Sequence, residues 1–378
     1  MAGSQESVQD AIRVAEKILT LLDEGRFTAT YKYAVLLGLI DLCLVNTAPP
    51  ATPPDSLTTY QLAEKIVEIY WPQSAQYEAR DGGRVLKQNE GRRDSQAEIL
   101  SAITKFREAS IRDPSASLFQ ARRAAPGPYK KLLQEVEWKL IEMPLPRLQV
   151  IGNKEDAFLY TIRWDQHVRR ADVSRYQRGE SHAFDNRIYL NPKVGEYLVQ
   201  LNTLLRPFIY RQWAAKVAHI NGLEEYRLEK FLFGAERIST EAVRAGLQEI
   251  QRNRCFYCES GLANSPPTRP VVDHFIPWSR YPDNGIENLV IAHERCNSFK
   301  RDFLAGHEHV IRWAASMRNN SDGLERLAER EKWERHPDRT LSVARAIYLR
   351  LPDDASLWGQ AREFVTIDRR ALERALGS

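Results

Sequence analysis

Apolar residues Val8, Ile12, Val14, Ala15, Ile18, Leu19 and Leu22 recur at helical spacing, so an amphipathic helix is predicted near the start of the chain. The apolar run Ala34 to Val45, interrupted by Gly38 and Asp41, predicts a buried helix from about Ala29 to Val45. The run is 12 residues long. That is short of the roughly 20 needed to cross a bilayer. Thr47-Ala48-Pro49-Pro50-Ala51-Thr52-Pro53-Pro54 is a loop, because proline lacks the backbone donor and blocks helical continuation. Ser56 or Thr58 can cap a third helix through Leu62, Ile66, Ile69 and Tyr70, stopped by Pro72. A polar stretch from Glu78 to Gln96, with Gly82-Gly83 and Gly91-Arg92-Arg93, leads into a fourth helix with Ile99, Leu100, Ile103 and Phe106 on one face. Helices of this kind suit an ordinary helical core first, with a helix-turn-helix or winged variant as the alternative.

The stretch Pro114 to Pro128 is rich in Pro, Ala, Ser and Arg, which sets a boundary near Arg112. Alternation at Leu148 to Ile151, Phe158 to Trp164 and Arg187 to Leu190 predicts a small sheet, followed by a long helical stretch, Val194 to Ile220, bent or broken at Pro207. Within the sheet region, Arg163-Trp164-Asp165-Gln166-His167-Val168-Arg169-Arg170, then Arg175, Tyr176 and Arg178, fits a phosphate track with stacking surfaces, and fits solvated loop charge as well. Trp313, Trp333 and Trp358 with Ile311, Leu327, Val343 and Ile347 read as the core of a helical C-terminal region. His307 and His309, two apart on a helix, read as surface residues. The expected fold class is α+β, mainly helical. Four regions are expected: a helical 1–111 with the helix-turn-helix alternative open, a mixed α/β 112–240 for substrate or partner binding, a chemistry-bearing 241–305, and a helical 306–378.

Composition narrows the class without deciding it. With 43% hydrophobic and 28% charged residues, general disorder and a disulfide scaffold are excluded. Lys plus Arg exceed Asp plus Glu by 54 − 50 = 4, too small an excess to identify a nucleic-acid partner by field alone. Met1 to Glu6 lacks the basic start and apolar core of a secretory signal, which leads to the expectation of a cytoplasmic protein. Cys43 stands alone in an apolar helix, while Cys255, Cys258 and Cys296 fall within 42 residues, a distribution that suits a metal site in a reducing compartment.

Cys255-x-x-Cys258 puts two thiolates on one tight knuckle, and His293-x-x-Cys296, after 34 intervening residues, supplies an imidazole and a third thiolate. Such a set makes a closed tetrahedral zinc site, which would fix everything strung between the two pairs. Between them lie Asp273-His274 on a predicted strand, the turn Asp283-Asn284-Gly285, and Glu287-Asn288-Leu289-Val290. Hydrolysis of a phosphodiester needs an activated water, charge neutralisation and help for the leaving oxygen, which one divalent ion and one general base supply. Adjacent on a strand, Asp273 and His274 point to opposite sides, so that one faces a metal and the other the water. Asn297, expected to begin a helix running to about Leu304, offers a hard oxygen suited to magnesium or manganese.

These residues resemble the HNH endonuclease superfamily, the ββα-metal nucleases, in the subgroup with a zinc knuckle, over roughly Arg254 to Phe303. The resemblance implies a ββα-metal module with a Cys3His zinc site embedded among helical regions. It implies His274 as general base, Asp273 and Asn297 as ligands of catalytic Mg2+ or Mn2+, Asn288 as the residue that holds the histidine-bearing loop, and Lys300 as a contact to substrate phosphate or a stabiliser of transition-state charge. Structural Zn2+ would be held by Cys255, Cys258, His293 and Cys296. Arg254, Arg280, Arg295 and Arg301, with Arg169 and Arg170 in the middle region, are the expected nucleic-acid contacts. Two departures stand out: many relatives have cysteine where His293 stands, and histidine is often found where Asn297 stands. The implied activity is metal-dependent hydrolysis of DNA, in the setting of restriction or antiphage defence, with a regulatory or targeting protein partner, a homodimer for double-strand breaks, and no membrane. The competing readings are an inactive zinc-stabilised nucleic-acid-binding or scaffold protein, and a nuclease directed at RNA.

Overall fold

The apolar recurrence at the start of the chain becomes α1 (Ala2–Glu24), and the apolar run after it becomes α2 (Tyr31–Val45). The computed structural model describes residues 2–24, 28–79, 82–91, 96–111, 113, 116–151, 154–165, 167–225, 228–234, 239–263 and 269–377. Backbone proximity divides the chain into two units, Met1–Cys43 with Pro54–Arg237, and Leu44–Pro53 with Ile238–Ser378. The fold is mainly helical α+β with small sheets.

In the first unit, α3 (Thr59–Tyr70) starts on a capping box: Thr58 Oγ1 accepts from the Gln61 amide, and the Gln61 side chain accepts from the Thr58 amide. Helices α4 (Glu98–Ser110), α5 (Leu118–Ala124), α6 (Pro126–Glu142), α7 (Pro144–Arg147), α8 (Arg170–Gln177), α9 (Val194–Asn221) and α10 (Leu228–Phe233) follow. The strands are short: β1 (Ser56–Thr58), the hairpin β2 (Tyr77–Ala79) and β3 (Gly82–Arg84), the hairpin β4 (Val150–Ile151) and β5 (Lys154–Glu155), then β6 (Tyr160–Ile162) and β7 (Arg187–Leu190). β1, β7 and β6 form an antiparallel sheet in that order, with Leu57 opposite Ile188 and Thr161 opposite Tyr189.

The boundary expected near Arg112 falls inside this unit, because α4 packs on α6 across it. Arg112 itself, like Arg92, Arg93 and Gln166, lies outside the described residues. Helix α9 runs through Pro207 without the expected break. Tertiary contacts outweigh the lost hydrogen bond: Ile209 and Trp213 are buried on one side of the proline, and on the other the buried Arg206 guanidinium donates to the Asp41 carboxylate and to Asn202 Oδ1 at 3.0 Å.

In the second unit, α11 (Glu241–Ile250) precedes β8 (Pro270–His274), β9 (Leu289–His293) and α12 (Glu294–Lys300). The two strands are antiparallel, with Asp273 opposite Val290 and His274 opposite Leu289. Helix α12 begins three residues earlier than expected, because His293, the last residue of β9, serves as its N-cap, and it ends at Lys300, where Arg301 takes a φ of 48°. Helices α13 (His307–Asn319), α14 (Ser321–Glu331) and α15 (Pro337–Tyr348), the hairpin β10 (Ser356–Trp358) and β11 (Phe364–Thr366), and α16 (Arg369–Leu376) complete the unit. The division expected after 305 also falls inside a unit, since the Trp358 amide donates to Leu304 O at 2.8 Å and the Gly306 amide to Trp358 O at 2.7 Å. Trp313 and Trp358 are core residues, as expected, whereas Ile311 is exposed. His309 is buried, not on the surface: its Nε2 donates to Gly359 O at 2.5 Å, and its ring lies on Trp358. Among the described residues, no helix is long and apolar enough to cross a membrane.

The Asp41–Arg206 pair generates a stability prediction. Arg206→Leu strands a buried carboxylate and should lower the stability of the first unit by about 3–5 kcal/mol, read as a fall in the midpoint of its chemical unfolding transition.

Candidate active site

The structure brings Cys255, Cys258, His293 and Cys296 together, with their ligand atoms all within 4.8 Å of one another. His293 Nδ1 lies 3.2 Å from Cys258 Sγ and 3.9 Å from Cys296 Sγ. A tetrahedral zinc ion with Zn–S near 2.3 Å sets ligand edges of about 3.5–3.8 Å, so this donor set fits it. The imidazole is oriented for ligation: Nε2 donates to Gly261 O at 3.1 Å, which carries the proton away from Nδ1 and leaves that nitrogen facing the sulfurs. A hydrogen bond from Cys296 lowers the Cys255 thiol, against the effect of burial, while Cys296 as the donor is raised. The His293 amide also donates to Cys255 Sγ at 3.3 Å.

The knuckle is locked onto neighbouring elements. The Phe256 amide donates to Ile291 O of β9 at 2.9 Å. Arg312 of α13 donates to the carbonyls of Phe256 (2.9 Å) and Tyr257 (3.3 Å), and pairs with Glu259 at 3.0 Å. Between the two knuckle cysteines, Tyr257 points inward and its hydroxyl donates to Asp273 Oδ2. Burial, and then the Asp273 charge, push this phenol well above its ordinary range, so it remains a proton donor to the carboxylate.

Asp273 Oδ2 also receives the Lys300 ammonium at 3.1 Å, and the same ammonium donates to His274 O at 2.9 Å. Both contacts of Asp273 thus fall on Oδ2, and Oδ1 has no partner among the described residues. Lys300 is fully buried, so the expected contact with substrate phosphate does not match its placement: it ties β8 to the end of α12. Asn297 lies three residues earlier on α12 and is partly exposed, on the helical face that Lys300 turns toward β8. A carboxylate oxygen and an amide oxygen are donors suited to a hard divalent cation.

His274 is partly exposed on the same strand and is held by Asn284: Nε2 donates to Asn284 Oδ1 at 2.8 Å, which leaves Nδ1 as the basic nitrogen. Trp278 flanks its ring at 5.3 Å between centroids. The loop carrying Asn284 is fixed from several sides. Trp333 Nε1 donates to Asn284 O at 2.6 Å, and Thr340 Oγ1 donates to Asp283 Oδ2 at 2.9 Å. The fully buried Asn288 accepts from the Ile276 amide at 2.7 Å and donates to the carbonyls of Ile276 and Asp283, each at 3.1 Å. Asn284 and Tyr257 are the two residues of this centre to which sequence reasoning gave no role; their only signal was a turn tripeptide and the interior of a knuckle.

The expected nucleic-acid contacts separate. Arg254, Arg295 and Arg301 are exposed in the second unit, Arg295 over the Phe299 ring at 5.4 Å, and Arg280 is partly buried. Arg169 and Arg170 are exposed in the first unit.

A family model described as HNH endonuclease matches residues 264–305, a span that holds Asp273, His274, Asn288, His293, Cys296, Asn297 and Lys300 and begins just after Cys255 and Cys258. A second, described as a domain of unknown function (DUF8808), matches residues 11–232. No curated protein and no solved structure matches the chain.

The geometry predicts one tightly held zinc ion per chain by elemental analysis. Cys258→Ser should lose it, and acidification should release it as the thiolates and imidazole take up protons. Tyr257→Phe, which leaves all four ligands in place, should retain it.

Proposed function

The chain belongs to the family described as a domain of unknown function (DUF8808) and carries an HNH endonuclease domain at residues 264–305, and from that premise we propose that it is a metal-dependent endonuclease that hydrolyses DNA phosphodiester bonds. The observation that carries the proposal is the convergence on β8 and α12 of a histidine with one free basic nitrogen, a buried carboxylate with one free oxygen, and a zinc-type cluster tied to that carboxylate through Tyr257. A structural zinc knuckle alone needs none of the first two.

In this reading His274 Nδ1 takes the proton of the attacking water, with Asn284 holding the imidazole in the required tautomer. Asp273 Oδ1 and the Asn297 amide oxygen would hold a magnesium or manganese ion, which would supply charge neutralisation for the scissile phosphate and the leaving oxygen. Lys300 and Tyr257 act as positioning residues that present Asp273 in one orientation. The exposed Arg295 and Arg301, at the surface of α12 and just beyond it, meet the flanking phosphates. One centre of this kind attends to one strand, so a double-strand break takes two chains or two successive nicks. A setting in restriction or antiphage defence, released by a protein partner, rests on the family resemblance, and is tested by phage plating on cells with and without the intact gene.

Supercoiled plasmid should be nicked or linearised with magnesium and spared with chelator, and His274→Ala should slow cleavage by about 10²–10⁴-fold. Equal survival in all three tubes would leave the scaffold reading standing, and cleavage of RNA alone would redirect the substrate. Asn284→Ala, and Tyr257→Phe with its zinc retained, should each cost about 10–100-fold in rate, as outer-sphere partners of metal and catalytic groups do.

A further inference from the structure

The first unit carries a site of its own. We propose that the cleft between α6 and α8 binds a phosphorylated nucleoside, its base against the Trp138 indole and its phosphate between Lys131 and Arg170.

The buried face of α6 consists of Leu132, Leu133, Val136, Glu137, Leu140 and Ile141. Lys131, Glu135 and Trp138 therefore share the outward stripe, at helical spacing. Facing them across α8 are Arg170, Ser174 and Arg178, and the recess so formed has a volume of about 280 Å³. A second recess of about 270 Å³ adjoins it, sharing Glu135, Trp138 and Arg170 and reaching Ile99 and Ala102 of α4. Trp138 and Arg170 form the partition between the two, with the guanidinium 5.8 Å from the ring centroid. Each recess is just below the range of about 300–1,000 Å³ typical of drug-sized sites, which suits one nucleotide and not a long segment.

Two of the three cations lining this cleft, Lys131 and Arg170, are available, unlike Arg178 and the charge around it. Arg163 pairs with Asp185 at 3.4 Å, Arg175 pairs with Asp172 at 2.5 Å, and Arg178 grips Glu180 through two hydrogen bonds of 2.5 and 2.7 Å. Among the described residues, Lys131 and Arg170 form no ion pair. The aromatic groups of the predicted phosphate track are also committed, since Trp164 Nε1 donates to Ile141 O at 3.1 Å and Tyr176 packs on Phe184. The stacking surface beside the unpaired cations comes instead from α6.

The remaining polar groups select a nucleoside over a bare anion. The Glu135 carboxylate would repel inorganic phosphate, yet it accepts from sugar hydroxyls or base N–H groups, and the Ser174 hydroxyl can serve either part of the ligand. The walls are held rigidly. Gln177 Nε2 donates to Gln134 O and to Glu137 Oε2, each at 2.9 Å, and the buried Glu137 also accepts from Thr59 Oγ1 at 2.6 Å. Little ordering of the cleft is then left to oppose binding.

Isothermal titration of the full chain in magnesium-free buffer tests this, with AMP, GMP, CMP and UMP, the four unphosphorylated nucleosides, and a single-stranded pentanucleotide as probes. Monophosphates should bind, and the nucleosides should bind about tenfold more weakly, for want of the charge-assisted hydrogen bonds. Arg170→Ala and Trp138→Leu should each weaken binding about tenfold, with Trp138→Phe retaining most of it. Binding by the free monophosphates supports the proposal, and binding by the pentanucleotide alone would overturn it in favour of a nucleic-acid strand. Absence of binding by every probe, nucleosides equal to monophosphates, or affinity unchanged in Arg170→Ala would each overturn the proposal. Arg170 is exposed, so its variant decides the matter even if Trp138→Leu unfolds. Weakening by Arg170→Ala and Trp138→Leu assigns the binding to the first unit, and the readout does not depend on whether the HNH domain cleaves.

Discussion

One carboxylate oxygen, Asp273 Oδ2, organises the candidate centre of the HNH domain. It receives the Tyr257 hydroxyl from the cysteine knuckle and the Lys300 ammonium from the end of α12, while its own residue belongs to β8. Three elements that are separate in sequence thus meet at one atom. Taking a carboxylate and an ammonium out of water costs several kcal/mol per ion, and their attraction repays this only where the remaining hydrogen-bonding capacity is filled. Here it is filled in part: the ammonium also finds His274 O, the rings of His309 and Trp358 shield Tyr257 at 5.4 and 5.1 Å, and Asp273 Oδ1 alone is left open. The C-terminal hairpin is therefore part of the centre's wall, although it carries none of the reacting groups.

A two-stranded hairpin of five-residue strands is marginal in water without other support. Apolar burial of β9 supplies part of the support, and polar devices supply the rest. The Cys3His cluster ties the knuckle to β9 and α12, Arg312 clasps the knuckle carbonyls, and Asn288 fills its amide with backbone partners from the loop that bears Asn284. Each of these is local in its chemistry but joins segments that are far apart in the chain. That arrangement holds His274 and Asp273 in fixed orientations while leaving one nitrogen and one oxygen unspent, which is what a hydrolytic centre requires.

In the first unit the same economy of charge runs the other way. Most of its arginines near α8 are matched to carboxylates or packed on rings, so the unmatched cations beside an outward tryptophan stand out against their surroundings.

Much of the chemistry was readable from residue order, because it rests on short-range spacing. Two cysteines three apart can turn both sulfurs to one metal, Asp273 and His274 point to opposite sides of a regular strand, and proline-rich 47–54 cannot continue a helix. Helix and strand identities around the site followed from periodicity for the same reason. What tertiary structure alone decided are the partners: that Tyr257 reaches Asp273, that Asn284 sets the tautomer of His274, that Lys300 is buried instead of solvent-facing, that His309 is core, and that Arg206 holds α9 continuous through Pro207. Each depends on which distant segment packs opposite a side chain. Local pattern sets what a residue is able to do, and only the neighbours supplied by the fold select which of those abilities it uses.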